Sequence, residues 1–422
     1  MSGRIIAGEF DAEKYWEDRT AASLPSVKSG YYDRVVESMD ELLIAYSGDG
    51  EDILITKNPL DSDFQGSLER FGIRCRNYTY EQFETSVQAA EKSILDTYAV
   101  TDKYISFSEQ YGLRYPHPAV SIIKKVNSKF YSVELSKRLG MNEYSRLIDS
   151  WEELIDQLDK LLKAHEKLMI KAEYSVSGKG NMVIDQNSRD RFLSLTRRQA
   201  EKGKHIRYVV EPLFCVEKDF SSQWNISETG DIRKESVQEI LNHGSSYGGS
   251  ADAGEQMTAL LEKENYFIKL EQLCCELYRD GYYGDVCVDS MLLKGGELVP
   301  VVEINARKSM SLTKARFDQL FDKNGYRNRV SCMLSKDISY RSDLTFPELS
   351  EALADCGIGY DRDRKCGIIP VTCNTLFANR DLSREQSRGR LYCYATAENR
   401  SQLESLFERL NKGNIRLENG KL

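Results

Sequence analysis

The amino-acid sequence predicts an α+β fold divided into several domains. Short apolar runs alternate with helical patterns along most of the chain, which is typical of mixed α and β structure. A strong antiparallel hairpin signal stands in the middle, in "GDVCVDSMLLKGGELVPVVEINAR". The 422 residues exceed the size at which single cores stop growing. We therefore expect an N-terminal α/β domain over 1–115, a central domain over 116–335, and a small C-terminal α/β closing domain over 336–422.

The composition excludes several classes of protein. With 41% hydrophobic and 29% charged residues, the chain has the make-up of an ordinary globular protein. A net charge of −8 and a pI near 5.4 argue against binding to nucleic acid or to an anionic membrane. No signal peptide or membrane span is recognisable, and the 10 cysteines show no CxxC pairing. We expect a cytoplasmic protein.

The N-terminal and C-terminal segments each predict α/β structure. The apolar runs "ELLIAYS" and "DILITK" read as strands, and residues 80–95 read as a helix. The two prolines of "YGLRYPHPAV" indicate a linker into the central segment. Near the C-terminus, "RGRLYCYATAENRSQLESLFERL" predicts a strand followed by a helix.

The central segment predicts helices and strands in a definite order. Ser128 is placed to cap a helix that stops at Gly140, and residues 151–163 form a second, amphipathic pattern. The runs "KLMIKAEYS" and "MVI" predict strands on either side of a glycine-rich loop, and "HIRYVVEPLFCVEKDFSSQWNI" predicts one or two more. Residues 266–279 form a helix pattern that Gly281 ends.

The glycine-rich loop "YSVSGKGNMVI" is not a Walker A loop. That motif needs a glycine four residues before its Gly-Lys pair and a Ser or Thr after the lysine. Here Tyr174 and Gly180 occupy those positions. Taken alone, a glycine-rich turn of this kind is more often a plain hairpin than a phosphate site.

The hairpin carries a candidate metal site with an arginine beside it. Glu303, Asn305 and Arg307 alternate in "VVEINAR" and so share one face of a strand. If Lys294 pairs with Leu298, Asp289 falls opposite Glu303 on that face, and a three-residue loop or a bulge at Pro300 is then required. Carboxylate and amide oxygens suit Mg²⁺, and an arginine beside them suits a developing anion.

These motifs, in this order, resemble the ATP-grasp carboxylate ligases over residues 126–316. The resemblance implies an ATP-grasp fold, ATP as co-substrate, and Mg²⁺ or Mn²⁺ held by Asp289, Glu303 and Asn305, with Arg307 as the catalytic residue. It implies that the loop closes over the phosphates and that "VVEPLF" contacts adenine. The implied ATP-binding residues are Lys129, Lys171, Ser177, Gly178, Lys179, Gly180, Glu211, Leu213, and Glu217 or Asp219.

The resemblance also implies the reaction: a carboxylate attacks ATP to give an acyl phosphate and ADP, and an amine or thiol then displaces phosphate. Within the family, "RYPHPAV" and "EINARKSM" resemble the amino-acid ligases of antibiotic and other natural-product pathways, including those that load L-glutamate onto an acyl-carrier-protein thiol. Lys308, Lys314 and Arg316 are candidates for binding a substrate carboxylate. A basic segment suited to an acidic carrier comprises Arg189, Arg191, Arg197, Arg198, Lys202, Lys204 and Arg207.

Three alternatives stay open at this point. The acceptor is either a carrier thiol or a free amine, which would make the chain an amino-acid or peptide ligase. A kinase that stops at phosphoryl transfer shares the same fold. A nucleotide-binding protein without chemistry is a third possibility, and a basic segment of this kind is more often a solvated helix face than a docking surface.

Overall fold

The computed structural model describes residues 3–25, 29–48, 50–86, 93–175, 180–243, 246–411, 416–417 and 420–421. Within these ranges the chain forms three main sheets, and each sheet draws on one stretch of the sequence. The mixture of helices, one parallel sheet and two antiparallel sheets confirms the α+β prediction.

The N-terminal sheet is parallel, with strand order β3-β2-β1-β4. Its strands are β1 (Ile5–Ala7), β2 (Ile53–Thr56), β3 (Arg76–Thr79) and β4 (Leu95–Thr97). Its helices are α1 (Glu13–Trp16), α2 (Gly30–Glu37), a 3₁₀ helix (Met39–Tyr46), α3 (Ser62–Glu69), α4 (Tyr80–Ser86) and α5 (Asp102–Gln110). From β1 the chain adds β2 and then β3 on one side of β1, and it returns to add β4 on the other side. The strand order therefore reverses between β1 and β4.

Two predictions in this segment are wrong. The run "ELLIAYS" belongs to the 3₁₀ helix and not to a strand, and all eight residues of that helix are buried. An element that is buried on every side carries no apolar periodicity that separates helix from strand. The helix predicted over 80–95 does not extend to 95: α4 covers Tyr80–Ser86 of it, and Leu95 begins β4. Residues 87–92 lie outside the described ranges.

The second sheet is antiparallel, with order β5-β8-β6-β7. Its strands are β5 (Arg146–Ile148), β6 (Lys167–Ala172), β7 (Asn181–Asp185) and β8 (Tyr208–Pro212). The accompanying helices are α6 (Val120–Val126), α7 (Lys129–Arg138), α8 (Trp151–Ala164) and α9 (Gln186–Ala200). The Ser128 hydroxyl caps α7 by accepting the Phe130 N–H at 3.1 Å, as predicted.

The largest sheet is antiparallel, with order β13-β12-β9-β10-β11-β14-β16-β15. Its strands are β9 (Val216–Ile226), β10 (Ile232–His243), β11 (Ser246–Asp252), β12 (Gly284–Leu293), β13 (Leu298–Asn305), β14 (Val330–Arg341), β15 (Gly367–Pro370) and β16 (Gln386–Ala397). Its helices are α10 (Glu255–Lys263), α11 (Tyr266–Arg279), α12 (Met310–Lys323), α13 (Phe346–Asp355), α14 (Asn374–Phe377) and α15 (Arg400–Asn411). A short pair, β17 (Arg416–Leu417) and β18 (Gly420–Lys421), follows.

The C-terminal segment shares this sheet with the central segment. Strand β14 runs from Val330 to Arg341 and so crosses the boundary expected at 335/336. The largest apolar core contains residues of the N-terminal segment as well, among them Leu42 and Leu54, together with Phe317 and Tyr394. The division into three domains stays a prediction, but the three segments pack on common apolar surfaces.

Candidate functional site

The hairpin of β12 and β13 brings the two predicted carboxylates together. Asp289 lies directly opposite Glu303, and Cys287 lies opposite Asn305. The predicted pairing of Lys294 with Leu298 is wrong, because Leu298 pairs with Leu292. The loop still has three residues, since the Leu293 N–H donates to the Glu297 carbonyl at 2.9 Å. A register shift between Asp289 and Met291 then adds two residues on the β13 side.

This shift preserves the side on which the carboxylates project. A slip of two residues leaves every side chain on its original face, whereas a slip of one would reverse it. The shift falls beside Pro300, whose carbonyl accepts a hydrogen bond of 2.8 Å from the Ser290 hydroxyl. Proline has no N–H to give to a ladder, so an irregularity costs little at this position.

Two of the three candidate metal ligands, Asp289 and Asn305, are in contact, and Glu303 lies opposite Asp289 in the ladder. The Asn305 amide Nδ2 donates to Asp289 Oδ2 at 3.0 Å. Burial and the neighbouring charge of Glu303 raise the pKa of Asp289 from its ordinary value of 3.8 to about 7. Two carboxylates held this close repel one another, and a bound cation would relieve both the repulsion and the cost of burial.

The donor set fits a divalent cation with oxygen ligands. Asp289 and Glu303 supply carboxylate oxygens, Asn305 supplies an amide oxygen, and Mg²⁺ is commonly held by one or two carboxylates together with substrate phosphates. Across the described ranges, no cluster of three or more His, Cys, Asp or Glu side chains is arranged to hold a metal.

Lys129 reaches this site from the first turn of α7. Its ammonium group donates to Glu303 Oε1 at 2.8 Å and to the Ser175 carbonyl at 3.1 Å. The Lys129 side chain is buried, because α7 packs against β13. The Lys129 side chain thus joins the face of the hairpin that carries Glu303 to the start of the glycine-rich loop.

Lys171 and Glu211 form a second buried ion pair, on adjacent strands β6 and β8. The Ser145 hydroxyl donates to the other oxygen of Glu211 at 3.0 Å. The resemblance assigns both residues to the ATP site, and the structure brings them together. Their closeness to each other means that Lys171 is paired with a carboxylate before any phosphate binds.

The remaining residues assigned to the nucleotide are less closely grouped. The Leu213 N–H already donates to the Lys167 carbonyl at 3.0 Å. A backbone hydrogen bond between Leu213 and adenine would therefore have to use the Leu213 carbonyl. Glu217 is exposed on β9. Asp219, on the same strand, accepts a hydrogen bond of 2.7 Å from Asn242, and burial raises its pKa. The structure does not choose between Glu217 and Asp219.

Most of the glycine-rich loop lies outside the described residues. Ser177, Gly178 and Lys179 are among the residues not described. Gly180 closes the loop, and its carbonyl accepts the Ala172 N–H at 2.8 Å. A Cβ at Gly180 would lie 2.2 Å from the Ser175 Cβ, so this position has no room for a side chain.

Arg307 lies beside the candidate metal ligands and is held by the N-terminal segment. Its Nε donates to Glu13 Oε1 at 2.7 Å, and its Nη2 contacts the same oxygen. Nη2 also donates to Asn305 Oδ1 at 3.2 Å, and Nη1 donates to the Tyr98 hydroxyl at 3.3 Å. The guanidinium group therefore links the hairpin to the carboxyl ends of β1 and β4.

Glu13 and Tyr98 were not identified from the sequence. Glu13 is separated from Arg307 by 294 positions and stands in "DAEKYW", where a charged residue on a short helix is unremarkable in composition. Tyr98 sits within an apolar run. Only the folded arrangement of the two segments shows that these residues meet Arg307.

The three cations proposed to bind a substrate carboxylate are already paired. Lys314 is 0% exposed and contacts Asp252 and Asp318, which corrects its assignment, because it lies in a closed ion cluster. Further pairs join Lys308 to Asp96, Lys308 to Asp285, and Arg316 to Glu235. The carboxylate receptor thus remains unassigned among these residues.

Much of the basic segment is also neutralised. Arg189 pairs with Asp159 and Asp190, Arg197 with Glu201, and Arg207 with Glu173, and Lys204 contacts the Arg19 carbonyl. Within the described ranges no ion pair is formed by the exposed residues Arg191, Arg198 and Lys202. The side chains of the segment without a described carboxylate partner are therefore these three and Lys204, whose charge a carbonyl oxygen does not cancel.

Three further observations concern membrane spans, disulfides and family models. Among the described helices, none combines the length and the apolar character that a bilayer crossing requires. The ten cysteines all lie in described ranges and none is in a disulfide. No protein-family model matches the chain.

Known proteins resemble the chain in sequence and in fold. A [butirosin acyl-carrier protein]–L-glutamate ligase of Niallia circulans is 25% identical over 324 residues, which is 73% of each chain. An N5-carboxyaminoimidazole ribonucleotide synthetase in complex with ADP superposes with a TM-score of 0.55 at 12% identity, over 98% of this chain and 96% of the other. The synthetase of the same name from Thermus thermophilus gives a TM-score of 0.54 at 12% identity, over 90% and 98%.

These structural neighbours share the ATP-grasp fold, and at such low identity they establish the fold alone. The Niallia circulans relative adds likeness in sequence over most of the chain. The ordered motifs from Lys129 to Arg307 agree with both. The chain therefore has the ATP-grasp fold, and its sequence is similar to that of a ligase over most of its length.

Proposed function

We propose that this ligase activates the carboxyl group of an amino acid, with L-glutamate as the first candidate. The activated acyl group would pass to the thiol of an acyl-carrier protein, as a step of antibiotic biosynthesis in the cytoplasm. The observation that carries the proposal is the convergence of Asp289, Glu303, Asn305 and Arg307 with Lys129 at one end of the large sheet. The name of the Niallia circulans relative supports the choice of substrate and acceptor.

ATP binding in this proposal proceeds by exchange of ion-pair partners. Lys129 and Lys171 are each paired with a carboxylate, Glu303 and Glu211. Phosphate oxygens would take over the Lys129 ammonium group and so release Glu303. Glu303, Asp289 and Asn305 would then hold Mg²⁺ or Mn²⁺, which neutralises phosphate charge and makes the γ-phosphorus more electrophilic.

The chemistry has two steps. A substrate carboxylate oxygen attacks the γ-phosphorus, and the bond to the β-phosphate oxygen breaks to give an acyl phosphate and ADP. A thiol then attacks the acyl carbon and loses its proton, and inorganic phosphate leaves. Arg307, fixed by Glu13 and Asn305, would stabilise the oxyanion of the tetrahedral intermediate.

Two other outcomes of the same site are distinguishable. A free amine in place of the thiol would make the enzyme an amino-acid or peptide ligase with the same activation step. A kinase would stop at a stable phosphorylated product. The buried oxygen ligands and the arginine beside them suit all three reactions, so the acceptor must be found by experiment.

The test is a screen of amino acids for ADP release, with Mg²⁺, ATP and hydroxylamine. Hydroxylamine traps an acyl phosphate as a hydroxamate, which is detected by its iron complex and by mass. We expect one or a few amino acids to give stoichiometric ADP and hydroxamate. ADP release without hydroxamate would indicate a kinase, and ATP binding without consumption by any acid would refute the proposal. Supplying a pantetheine thiol or a free amine then identifies the acceptor.

A further inference from the structure

Glu13 has one carboxylate oxygen that is buried and unused. The residue is 8% exposed. Its Oε1 receives the Arg307 guanidinium, whereas its Oε2 is fully buried and has no hydrogen-bond partner among the described residues. Burying a charged oxygen without a partner costs free energy. An orphaned oxygen beside a catalytic arginine is therefore expected to serve a ligand.

The position of Glu13 in the fold also indicates a ligand site. The N-terminal sheet is parallel and its strand order reverses between β1 and β4. In such sheets ligands bind in the crevice at the carboxyl ends of the strands flanking the reversal. Glu13 follows β1, Tyr98 follows β4, and both contact Arg307. This second observation depends on topology and not on the hydrogen bonds of Glu13.

We propose that Glu13 is a specificity-determining residue that binds the ammonium group of the acid substrate through Oε2. The inference rests on the proposed function and adds to it the reason why an amino acid is selected over a plain carboxylic acid. Arg307 and Glu13 present adjacent positive and negative charges, which match the adjacent carboxylate and ammonium groups of a zwitterion.

Rejection of a plain acid follows from the same contacts. A substrate that lacks the amino group leaves Oε2 unpaired and adds a negative charge beside Glu13 without a compensating positive one. A site with a buried polar group discriminates strongly against a ligand that cannot pair with it. An ammonium group offers three N–H donors and satisfies the orphaned oxygen directly.

A competing role for Glu13 is only to orient Arg307. In that case Glu13→Gln would slow an amino acid and its des-amino counterpart by the same factor. If Glu13 binds the ammonium group, the substitution removes the preference between them. The ratio of kcat/KM for the two acids therefore separates the roles, and a simple loss of activity does not.

The experiment uses the amino acid found by the hydroxylamine screen together with its des-amino acid, which for L-glutamate is glutarate. For the wild type we expect a preference for the amino acid of about 10- to 100-fold in kcat/KM, the range for a charged hydrogen bond. Glu13→Gln should reduce that preference by about tenfold, mainly through KM. Glu17→Gln, an equal charge change at an exposed position on the same stretch, should leave it unchanged.

Binding supplies a readout that does not depend on turnover. The thermal shift given by each acid, in the presence of ADP, should show the same preference in wild type and its loss in Glu13→Gln. If Glu13→Gln slows both acids equally, or if the wild type binds both equally, the inference is overturned even when ADP release proceeds. If no acid yields hydroxamate, the proposed function fails, and the inference then stands or falls on the binding preference alone.

Discussion

Two buried glutamates of the N-terminal segment, Glu41 and Glu13, reach residues beyond position 300 and use their oxygens differently. Glu41 is 0% exposed and accepts three backbone N–H groups at 2.8–2.9 Å, from Cys373, Asn374 and Thr375. Glu13 accepts hydrogen bonds from Arg307 with one oxygen, and its other oxygen has no partner among the described residues. The first arrangement fastens one segment to another, and the second keeps a charge available.

The same contrast separates the buried lysines. Lys314 is enclosed by Asp252 and Asp318, and Arg327 contacts both of these carboxylates. Lys129 has one carboxylate and one carbonyl as partners, at the edge of a loop that has no room for side chains at Gly180. Polar groups with complete sets of partners stabilise the fold, and we infer that the incomplete sets of Glu13 and Lys129 are open to a ligand.

The largest effect is expected at Asp289. Asp289→Asn should lower kcat/KM for hydroxamate formation by about 10²- to 10³-fold, because in the proposed function Asp289 is a ligand of the divalent cation. The same substitution should stabilise the protein. Burial and Glu303 raise the pKa of Asp289 to about 7 in the folded state, so the folded protein retains this proton between about pH 4 and 7.

The pH dependence of the free energy of unfolding follows from the proton that Asp289 retains in the folded protein. In wild type the free energy of unfolding should fall as pH rises through that window, since the unfolded chain releases the proton first. Asp289→Asn should remove this slope and add about 1–2 kcal/mol at pH 8, allowing for partial exposure. Urea unfolding of both proteins at pH 5 and pH 8, without divalent cations, measures this change in the free energy of unfolding. A variant less stable than wild type at pH 8 would contradict the assignment.

Lys314→Met should have the next largest effect, and on stability alone. Removing the lysine leaves two carboxylates in the core with only Arg327 to balance them, at a cost of about 3 kcal/mol. Well below the melting temperature, KM for the acid substrate should not change. Arg316→Met, at a partly exposed pair with Glu235, should cost about 1 kcal/mol or less. A large rise in KM for Lys314→Met would return that residue to the substrate site.

Glu41→Gln should cost about 2 kcal/mol, because the amide NH₂ would face N–H groups that need an acceptor. Its activity at low temperature should stay within about twofold of wild type. Glu37→Gln, which alters the exposed pair with Lys57, serves as the control and should cost under about 0.5 kcal/mol. If both substitutions are equally mild, the three hydrogen bonds do not fasten the segments and the contrast with Glu13 loses its meaning.

Elements with a clear period or cap could be predicted from sequence, whereas those fixed by distant contacts could not. Ser128, Gly281 and the alternation around Glu303 gave correct helix ends and a correct face. The 3₁₀ helix was missed because its residues are buried on every side. Lys314 was misjudged because Asp252 lies 62 positions away, and a charge alone does not reveal whether it is paired. Glu13 was missed for the same reason.

The smallest effect concerns the cations of the basic segment that have no described carboxylate partner. On helix α9, Arg191 and Arg198 are seven positions apart and so lie on one side of the helix. If an acidic carrier docks there, Arg198→Glu should slow loading of a carrier thiol about two- to fivefold at low salt, with the difference vanishing near 0.5 M salt.

Arg384→Glu, an equal change of net charge at an exposed position before β16, is the control. Loading of free pantetheine should be unaffected by either substitution. A carrier rate indifferent to both salt and Arg198 would assign this surface to solvent, and carrier recognition would then have to lie elsewhere on the enzyme.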